Sequence, residues 1–223
     1  MNILLFGATG MVGQGVLREC VLAKDVEMVQ TVGRTPTGHP HPKLRELMHR
    51  DLLEYDSVAA RLENFDACFF CLGVSSSGLK EEDYSRFTYD LTLAAAQALV
   101  RLNPRMTFIY VSGAGTDSTE KGRVMWARVK GRTENALRRL PFKAVYLFRP
   151  GFIQPLHGIR SKTASYRLLY ALAWPLFPLL RALFPRHILS TESLGRAMLN
   201  VARRGAPQAV LEAPDIVRLS QQT

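Results

Sequence analysis

Cysteine is scarce in this chain, and what little there is excludes two architectures. The three cysteines, Cys20, Cys68 and Cys71, are odd in number and come with no readable secretory leader, so no disulfide framework is implied. Cys68 and Cys71 have CxxC spacing, but no second ligand pair accompanies them. Their segment, Asp66-Ala-Cys-Phe-Phe-Cys-Leu-Gly73, reads as a strand, on which side chains three apart point to opposite faces. Buried structural cysteines and no metal site are expected. A membrane-spanning run is lacking too. The uncharged stretch from Leu168 to Leu180 is interrupted by Pro175 and Pro178 and falls short of the roughly 20 apolar residues a spanning helix needs. Met1 to Phe6 has no basic leader, which makes cytoplasmic residence the expectation. Acidic residues, finally, are rare late in the chain. Residues 1–122 hold 12 Lys/Arg against 15 Asp/Glu, whereas 123–223 hold 17 against 4. That asymmetry points to an anionic partner: a phosphorylated cofactor, an anionic lipid surface or nucleic acid. Nucleic acid has only the charge behind it, because no motif for reading bases accompanies the basic residues.

With 47% apolar and 22% charged residues, the composition is that of an ordinary globular protein, and 223 residues suffice for one substantial core. Short apolar runs alternate with helical periodicity from the first residue. Strands are expected at Asn2–Phe6, Glu27–Val32, Leu47–Asp51, Ala67–Leu72, Met106–Val111, Ala144–Phe148 and Gln208–Leu211. Helices are expected at Val12–Leu22, Ser57–Leu62, Glu81–Val100, Lys121–Leu140 and Thr191–Arg203. The helix over 81–100 carries an apolar stripe of Tyr84, Phe87, Leu91, Ala94 and Ala98. This is the βαβα alternation of a parallel sheet between helices. The fold class is therefore α/β, a doubly wound parallel-sheet Rossmann fold over 1–155 with a small, mostly helical C-terminal subdomain over 156–223.

Gly7-Ala-Thr9-Gly10-Met11-Val12-Gly13 lies directly between the first strand and the first helix. Glycines there permit a tight turn, let backbone approach a pyrophosphate and let helix pack on strand, while the helix N-terminus offers free N–H groups to the phosphates. The position of the motif makes it a dinucleotide-binding turn. At the end of the second strand, where NAD-selective sites place an acid, this chain has Gly33-Arg34-Thr35. Arg34 can clamp a 2′-phosphate and Thr35 can add a hydroxyl, so NADP(H) is expected over NAD(H).

These residues resemble the atypical short-chain dehydrogenase/reductases, in the NAD-dependent epimerase/dehydratase-like branch related to Tat-interacting protein. Beyond the glycine turn, the resemblance rests on His49-Arg-Asp51-Leu-Leu, Cys71-Leu-Gly73, Val111-Ser-Gly-Ala-Gly115, Trp126-Ala-Arg-Val-Lys130-Gly and Phe148-Arg-Pro-Gly151. It implies that Asp51 and Leu52 lie beside the adenine, and that Leu72 and Gly73 line the adenosine ribose and pyrophosphate. Pro150, Gly151, Phe152 and Ile153 would approach the nicotinamide. It further implies a catalytic Ser112 and Lys130. In place of the family's tyrosine, four residues before that lysine, stands Trp126. An indole N–H donates a hydrogen bond but does not ionise usefully, so the usual proton relay is missing. Trp126 and Ser112 are expected to line a substrate pocket, with His157 as a further group near the substrate. Arg149 reads as an ion-pair or helix-terminus residue.

Two functions follow as expectations. One is an NADP-dependent oxidoreductase or epimerase-like protein acting on a small apolar carbonyl or alcohol. The other is a non-catalytic NADPH-binding sensor or scaffold. The apolar run 166–184, flanked by Arg160, Lys162, Arg167, Arg181 and Arg186, fits a lid or buried helix, a dimer contact, or a patch on anionic lipid. The partner expected is a small-molecule substrate, peripheral membrane contact through 166–184 being one of those alternatives, with the chain a monomer or a homodimer.

Overall fold

Runs such as Ile3–Phe6 and Cys68–Phe70 are apolar at every position because both faces of their sheet are covered. In the computed structural model, which describes residues 1–159 and 188–222, they are β1 (Asn2–Phe6) and part of β4 (Ala67–Phe70). Between them lie α1 (Met11–Leu22), β2 (Met28–Gly33), β3 (Leu44–Met48) and a 3₁₀ turn over Asp56–Arg61. Next, α2 (Glu81–Ser85) continues through a π turn (Arg86–Asp90) into α3 (Leu91–Leu102). β5 (Thr107–Val111), α4 (Met125–Leu137), β6 (Ala144–Arg149) and β7 (Phe152–Gln154) follow. The chain closes with β8 (Ile188–Ser190), α5 (Thr191–Arg204), β9 (Val210–Glu212) and α6 (Ala213–Ser220).

Seven strands form one parallel sheet in the order β3-β2-β1-β4-β5-β6-β9. Strand order reverses between β1 and β4, which opens a crevice at their C-terminal ends where such folds bind ligands. Alternate residues feed two cores. Ile3, Leu5, Phe69 and Ile109 face Val16, Cys20, Ala197 and Met198 of α1 and α5. Leu4, Phe6, Phe70, Phe108 and Tyr110 face Ala95 and Leu99 of α3. Cys68 belongs to the second core while Cys71 packs against the first, so the CxxC thiols do point apart. The C-terminal residues are tied into this frame. α5 lies against α1 so closely that a methyl on Gly15 would come 2.5 Å from Thr191 Cβ, and one on Gly195 would come 2.8 Å from Glu19 Cγ.

Several sequence expectations need correction. The third strand lies earlier, at Leu44–Met48 rather than Leu47–Asp51, because it is an edge strand with only Leu47 buried and offers little apolar signal. The expected helix over 81–100 contains the π turn, which shifts the helix face. Tyr84 and Thr88 are buried while Phe87 is 41% exposed, so Phe87 leaves the predicted stripe. The helix expected over 121–140 is shorter, Met125–Leu137. β7, β8 and α6 add to the elements expected from the sequence. The run 166–184 lies outside the described residues.

Candidate functional site

The glycine turn sits at the strand-order reversal. Gly7 adopts φ +77°, and a methyl on it would lie 2.7 Å from the backbone of Cys71 and Leu72 at the end of β4. Gly10 N–H donates to the Gly7 carbonyl at 2.9 Å. At Gly13 a methyl would overlap that same carbonyl oxygen and come 2.7 Å from its carbon, so α1 is pressed onto the turn where only glycine fits. Gly10 caps α1 without a side-chain hydrogen bond, and no acid stands in the first turn. The amides opening the helix around Met11 and Val12 are therefore uncapped by any side chain, in a field that favours anions. These features fit the pyrophosphate of a dinucleotide. The Thr9 carbonyl is taken by Gln14 Nε2 at 3.1 Å, which stiffens the turn.

Arg34 and Thr35 follow β2 directly and are exposed. Arg34 makes no hydrogen bond or ion pair among the described residues. Asp51 is exposed just beyond β3, its Oδ1 accepting the Leu53 amide at 3.0 Å, and Leu52 is buried in the second core. Leu72 is half-buried and Gly73 exposed, with open space around the Gly73 Cα.

One strand further along the sheet, Ser112 directly follows β5. Its N–H donates to the Phe148 carbonyl at 2.7 Å, and its Oγ lies 3.0 Å from Thr116 Oγ1. The Thr116 hydroxyl donates to the Gly113 carbonyl at 2.7 Å. Within that pair the Ser112 hydroxyl is the donor, which leaves its lone pairs to accept from a ligand. The loop then runs back along α4. Asp117 N–H donates to the Ala127 carbonyl at 3.1 Å, and a methyl on Gly131 would overlap the Asp117 carbonyl oxygen. This contact aims the first turns of α4 at the Ser112 loop. The Trp126 ring edge lies 3.6 Å from where a Gly115 Cβ would stand, so the indole occupies the loop side of the helix.

Lys130, one turn on, places its Nζ 5.5 Å from the centre of the Tyr110 ring. Burial holds its ammonium down to about 8, with the Glu134 carboxylate opposing that shift. Tyr110 is buried, and burial pushes its phenol far above the ordinary range, which removes it from proton exchange. Glu134 is 1% exposed and grips Arg149 of β6 through two hydrogen bonds, one of 3.0 Å to Nε and one to Nη2. Arg149 is thus the ion-pair residue the sequence allowed for. Sequence reasoning missed Glu134 and Thr116. Glu134 left a signal, being the one acid between Glu120 and Glu192 and four residues beyond Lys130; Thr116 left none.

Pro150 is buried and Gly151 exposed; the Pro150 carbonyl accepts the Ala114 amide at 3.0 Å. Phe152 and Ile153 enter β7, Ile153 within the first core. His157 takes a different direction from the one expected. In the left-handed region at φ +57°, it bonds through Nε2 to Glu192 of α5 at 2.8 Å, and this bond holds the Glu192 carboxyl below its usual range. His157 lines a cleft of about 520 Å³ that reaches the glycine turn at Thr9 and includes Arg18, His39 and Leu44 but none of Ser112, Trp126 and Lys130. Among the described residues no group of His, Cys, Asp and Glu is placed to hold a metal ion.

A parallel sheet of this strand order with a glycine turn at its reversal defines a short-chain dehydrogenase-type Rossmann protein. Residues 3–121 match the NAD dependent epimerase/dehydratase family, and the chain belongs to that family. Among curated proteins it is 28% identical over 159 residues to Protein fmp52, mitochondrial, of Emericella nidulans, covering 68% of this chain and 66% of the relative. It is 28% identical to the Leucinostatins biosynthesis cluster protein T of Purpureocillium lilacinum, covering 72% and 61%. Against Protein fmp52-2, mitochondrial, of Aspergillus oryzae it is 27% identical, covering 97% and 96%. The chain thus spans slightly less than two thirds of the first two relatives and nearly all of the third.

Solved structures of like fold include the Bordetella bronchiseptica enzyme WbmF in complex with NAD+, with a TM-score of 0.69, 15% identity, and coverage of 97% of this chain and 76% of that one. Another is a UDP-N-acetylglucosamine 4-epimerase from Methanobrevibacter ruminantium, with a TM-score of 0.70, 13% identity, and coverage of 95% and 75%. At these identities the likeness is one of fold. The expected cytoplasmic location is overturned by the relatives, several of which are named as mitochondrial proteins. No helix among the described residues is long and apolar enough to cross a membrane.

Proposed function

We propose that this chain binds NADP(H) and uses it in oxidoreductase or epimerase-like chemistry on a small apolar carbonyl or alcohol. The observation that carries the proposal is the bare, uncapped glycine turn followed, one strand on, by an Arg34 side chain with no partner among the described residues. Gly7, Thr9, Gly10, Met11, Val12 and Gly13 would hold the pyrophosphate, Arg34 and Thr35 the 2′-phosphate, and Asp51, Leu52, Leu72 and Gly73 the adenosine. Lys130 would hold the nicotinamide ribose, and Pro150 to Ile153 would flank the ring. When bound, the nicotinamide gives or takes a hydride. Ser112, its own proton committed to Thr116, accepts a hydrogen bond from a substrate hydroxyl. Trp126 bounds the pocket and offers one donor. Lys130, titrating at about 8, lies in the range where a side chain can both hold and release a proton near neutrality, and it takes the relay role in the absence of a tyrosine.

Trp126 favours a second reading, in which the chain binds NADPH as a sensor or scaffold without catalysis, since the family's proton donor is replaced by a group that does not ionise. Calorimetric titration with NADPH and NADH, on the wild type and on Arg34→Ala, tests the shared part. Hydrogen bonds to a charged group contribute about 1.5–3 kcal/mol, so NADPH affinity should fall roughly 10- to 100-fold while NADH affinity holds. Binding of neither nucleotide would sink both readings. Carbonyl reduction by the wild type that is lost in Ser112→Ala would eliminate the sensor reading; no turnover across a panel of apolar carbonyls and alcohols would eliminate the enzyme reading.

A further inference from the structure

The Arg149 guanidinium joins four parts of the chain. From the end of β6 it donates to both carboxylate oxygens of Glu134 in α4, to Ser118 Oγ in the loop after Ser112 at 2.6 Å, and to Glu212 Oε1 in β9 at 3.3 Å. Asn135, next to Glu134, adds hydrogen bonds to the Ser118 carbonyl at 2.9 Å and to Glu120 Oε1 at 2.7 Å. The loop that begins at Ser112 and the helix that carries Trp126 and Lys130 are thus fastened to each other and to the sheet through one buried charge pair. Residues four apart share a helix face, so Glu134 lies one turn beyond Lys130 on the side that meets the sheet.

We propose that Glu134 and Arg149 are positioning residues for Lys130, fixing the face of α4 against the Ser112 loop and balancing the charge beside the lysine. The proposal rests on the reading above that Lys130 serves the nucleotide site. Lys130 faces Tyr110 from β5, with Tyr84 of α2 beside that phenol, and Glu134 on its own helix; Arg149 and, behind it, Glu212 complete the cluster. The buried Glu134 carboxylate is ion-paired with Arg149 and, one helical turn beyond Lys130, also favours the lysine ammonium, while among these cations the half-exposed Glu212 pairs with Arg149. Neutralising Glu134 removes the carboxylate that favours the Lys130 ammonium and leaves the Arg149 cation it had paired. Neutralising Arg149 frees the Glu134 carboxylate for Lys130 alone. The two changes therefore push the lysine's proton affinity in opposite directions, an outcome that loosened packing does not produce.

The test is an NMR titration of the full chain labelled at lysine Cε, with Lys130 assigned by its loss in Lys130→Met. Glu134→Gln should lower the Lys130 midpoint by about one unit or more, and Arg149→Met should raise it by a similar amount, the scale of a neighbouring charge within a few ångströms. Shifts in the same direction, or none, would overturn the proposal. Should either single variant fail to fold, Glu134→Gln with Arg149→Met removes both charges, a change buried pairs tolerate better than loss of one partner. The double variant should then titrate near the wild type, its two opposite shifts cancelling, and the single variant that does fold should be displaced from both; a single that titrates with the wild type overturns the charge-balancing role. Calorimetry with NADPH on the same samples separates the two claims. Opposite shifts without nucleotide binding in the wild type would leave the lysine device standing and remove the nucleotide site.

Discussion

Gly13→Ala should damage this protein more than Gly10→Ala, although both glycines belong to one motif. The difference comes from what the added methyl meets. At Gly10 the nearest atom is the Gly7 carbonyl oxygen at 3.3 Å, a contact relieved by a shift of a few tenths of an ångström. At Gly13 the methyl overlaps that oxygen and lies 2.7 Å from its carbon and 2.9 Å from Ala8 Cα. All three are backbone atoms at the junction of β1 and α1, so relief requires moving the helix away from the strand. Overpacking of this kind costs about 1–3 kcal/mol, and rigid backbone on one side puts Gly13→Ala at the upper end. Gly7→Ala combines a methyl 2.7 Å from the Cys71 backbone with a φ of +77°, which adds about 1–2 kcal/mol for a left-handed alanine.

For a chain of this length each kcal/mol lowers Tm by about 2–4 °C. Gly13→Ala should therefore melt roughly 6–12 °C below the wild type, Gly7→Ala within or below that range, and Gly10→Ala within about 4 °C of it. NADPH affinity should follow the same division, because withdrawing α1 takes its first amides away from the phosphates. The assay is thermal unfolding by circular dichroism, paired with calorimetry. A Gly13→Ala protein that melts like the wild type and binds NADPH as tightly would refute the argument that close strand–helix approach makes this turn.

Further outcomes concern the helix contact and the lysine. Gly15→Ala should destabilise more than Gly195→Ala, since the first methyl strikes Thr191, including its carbonyl at 2.8 Å, whereas the second mainly meets the movable Glu19 side chain; unfolding in denaturant ranks them. Lys130 titrates at about 8 folded against 10.5 for an unburied lysine. Between those values the unfolded chain holds more protons, so this residue's contribution to stability rises from pH 8 towards 10.5. Nucleotide affinity moves oppositely, falling as the ammonium is lost through pH 8; a flat NADPH affinity from pH 7 to 9 would argue against an ammonium in the site.

The elements legible in the sequence are those whose signal is local. β1, β4 and β5 announce themselves as unbroken apolar runs, and the glycine turn by its place between strand and helix. β3 lies three residues before the expected strand because Leu44-Arg-Glu-Leu-Met48 mixes exposed and buried positions without clear alternation. The π turn is invisible to a stripe drawn at 3.6 residues per turn, which is why that stripe points Phe87 inward. β7 and β8 are three residues each and pair across a long separation in sequence, so neither carries a pattern of its own. α6 did leave signs, Pro214 in its first turn and a reciprocal cap between Glu212 and Asp215, that only an edge strand ending there made readable. The site divides the same way. Ser112, Trp126 and Lys130 come from the family resemblance, but the direction of the Ser112 proton depends on Thr116, and the charge beside Lys130 comes from Glu134, itself held by Arg149 from another strand.

Trp126→Tyr bears most directly on what this arrangement can do. The substitution places a phenol one helical turn before Lys130, on the face aimed at the Ser112 loop, and removes a ring that fills part of that space. A cation one turn away favours the phenolate and lowers the phenol below its usual value near 10, to a degree limited because Lys130 itself loses charge through about 8. The Ser112 hydroxyl, already donating to Thr116, must turn away from it to help polarise a carbonyl, at a cost of about 1 kcal/mol for one hydrogen bond. Restored general acid catalysis contributes typically 10²–10⁴-fold, so NADPH-dependent reduction of small apolar carbonyls should rise by about a hundredfold after that cost and the imperfect fit. The rise should vanish in Trp126→Tyr with Lys130→Met. If the single variant reduces carbonyls no faster than the wild type while still binding NADPH, the tyrosine position is not what limits this site, and proton transfer in the natural protein does not run through the Ser112–Lys130 edge.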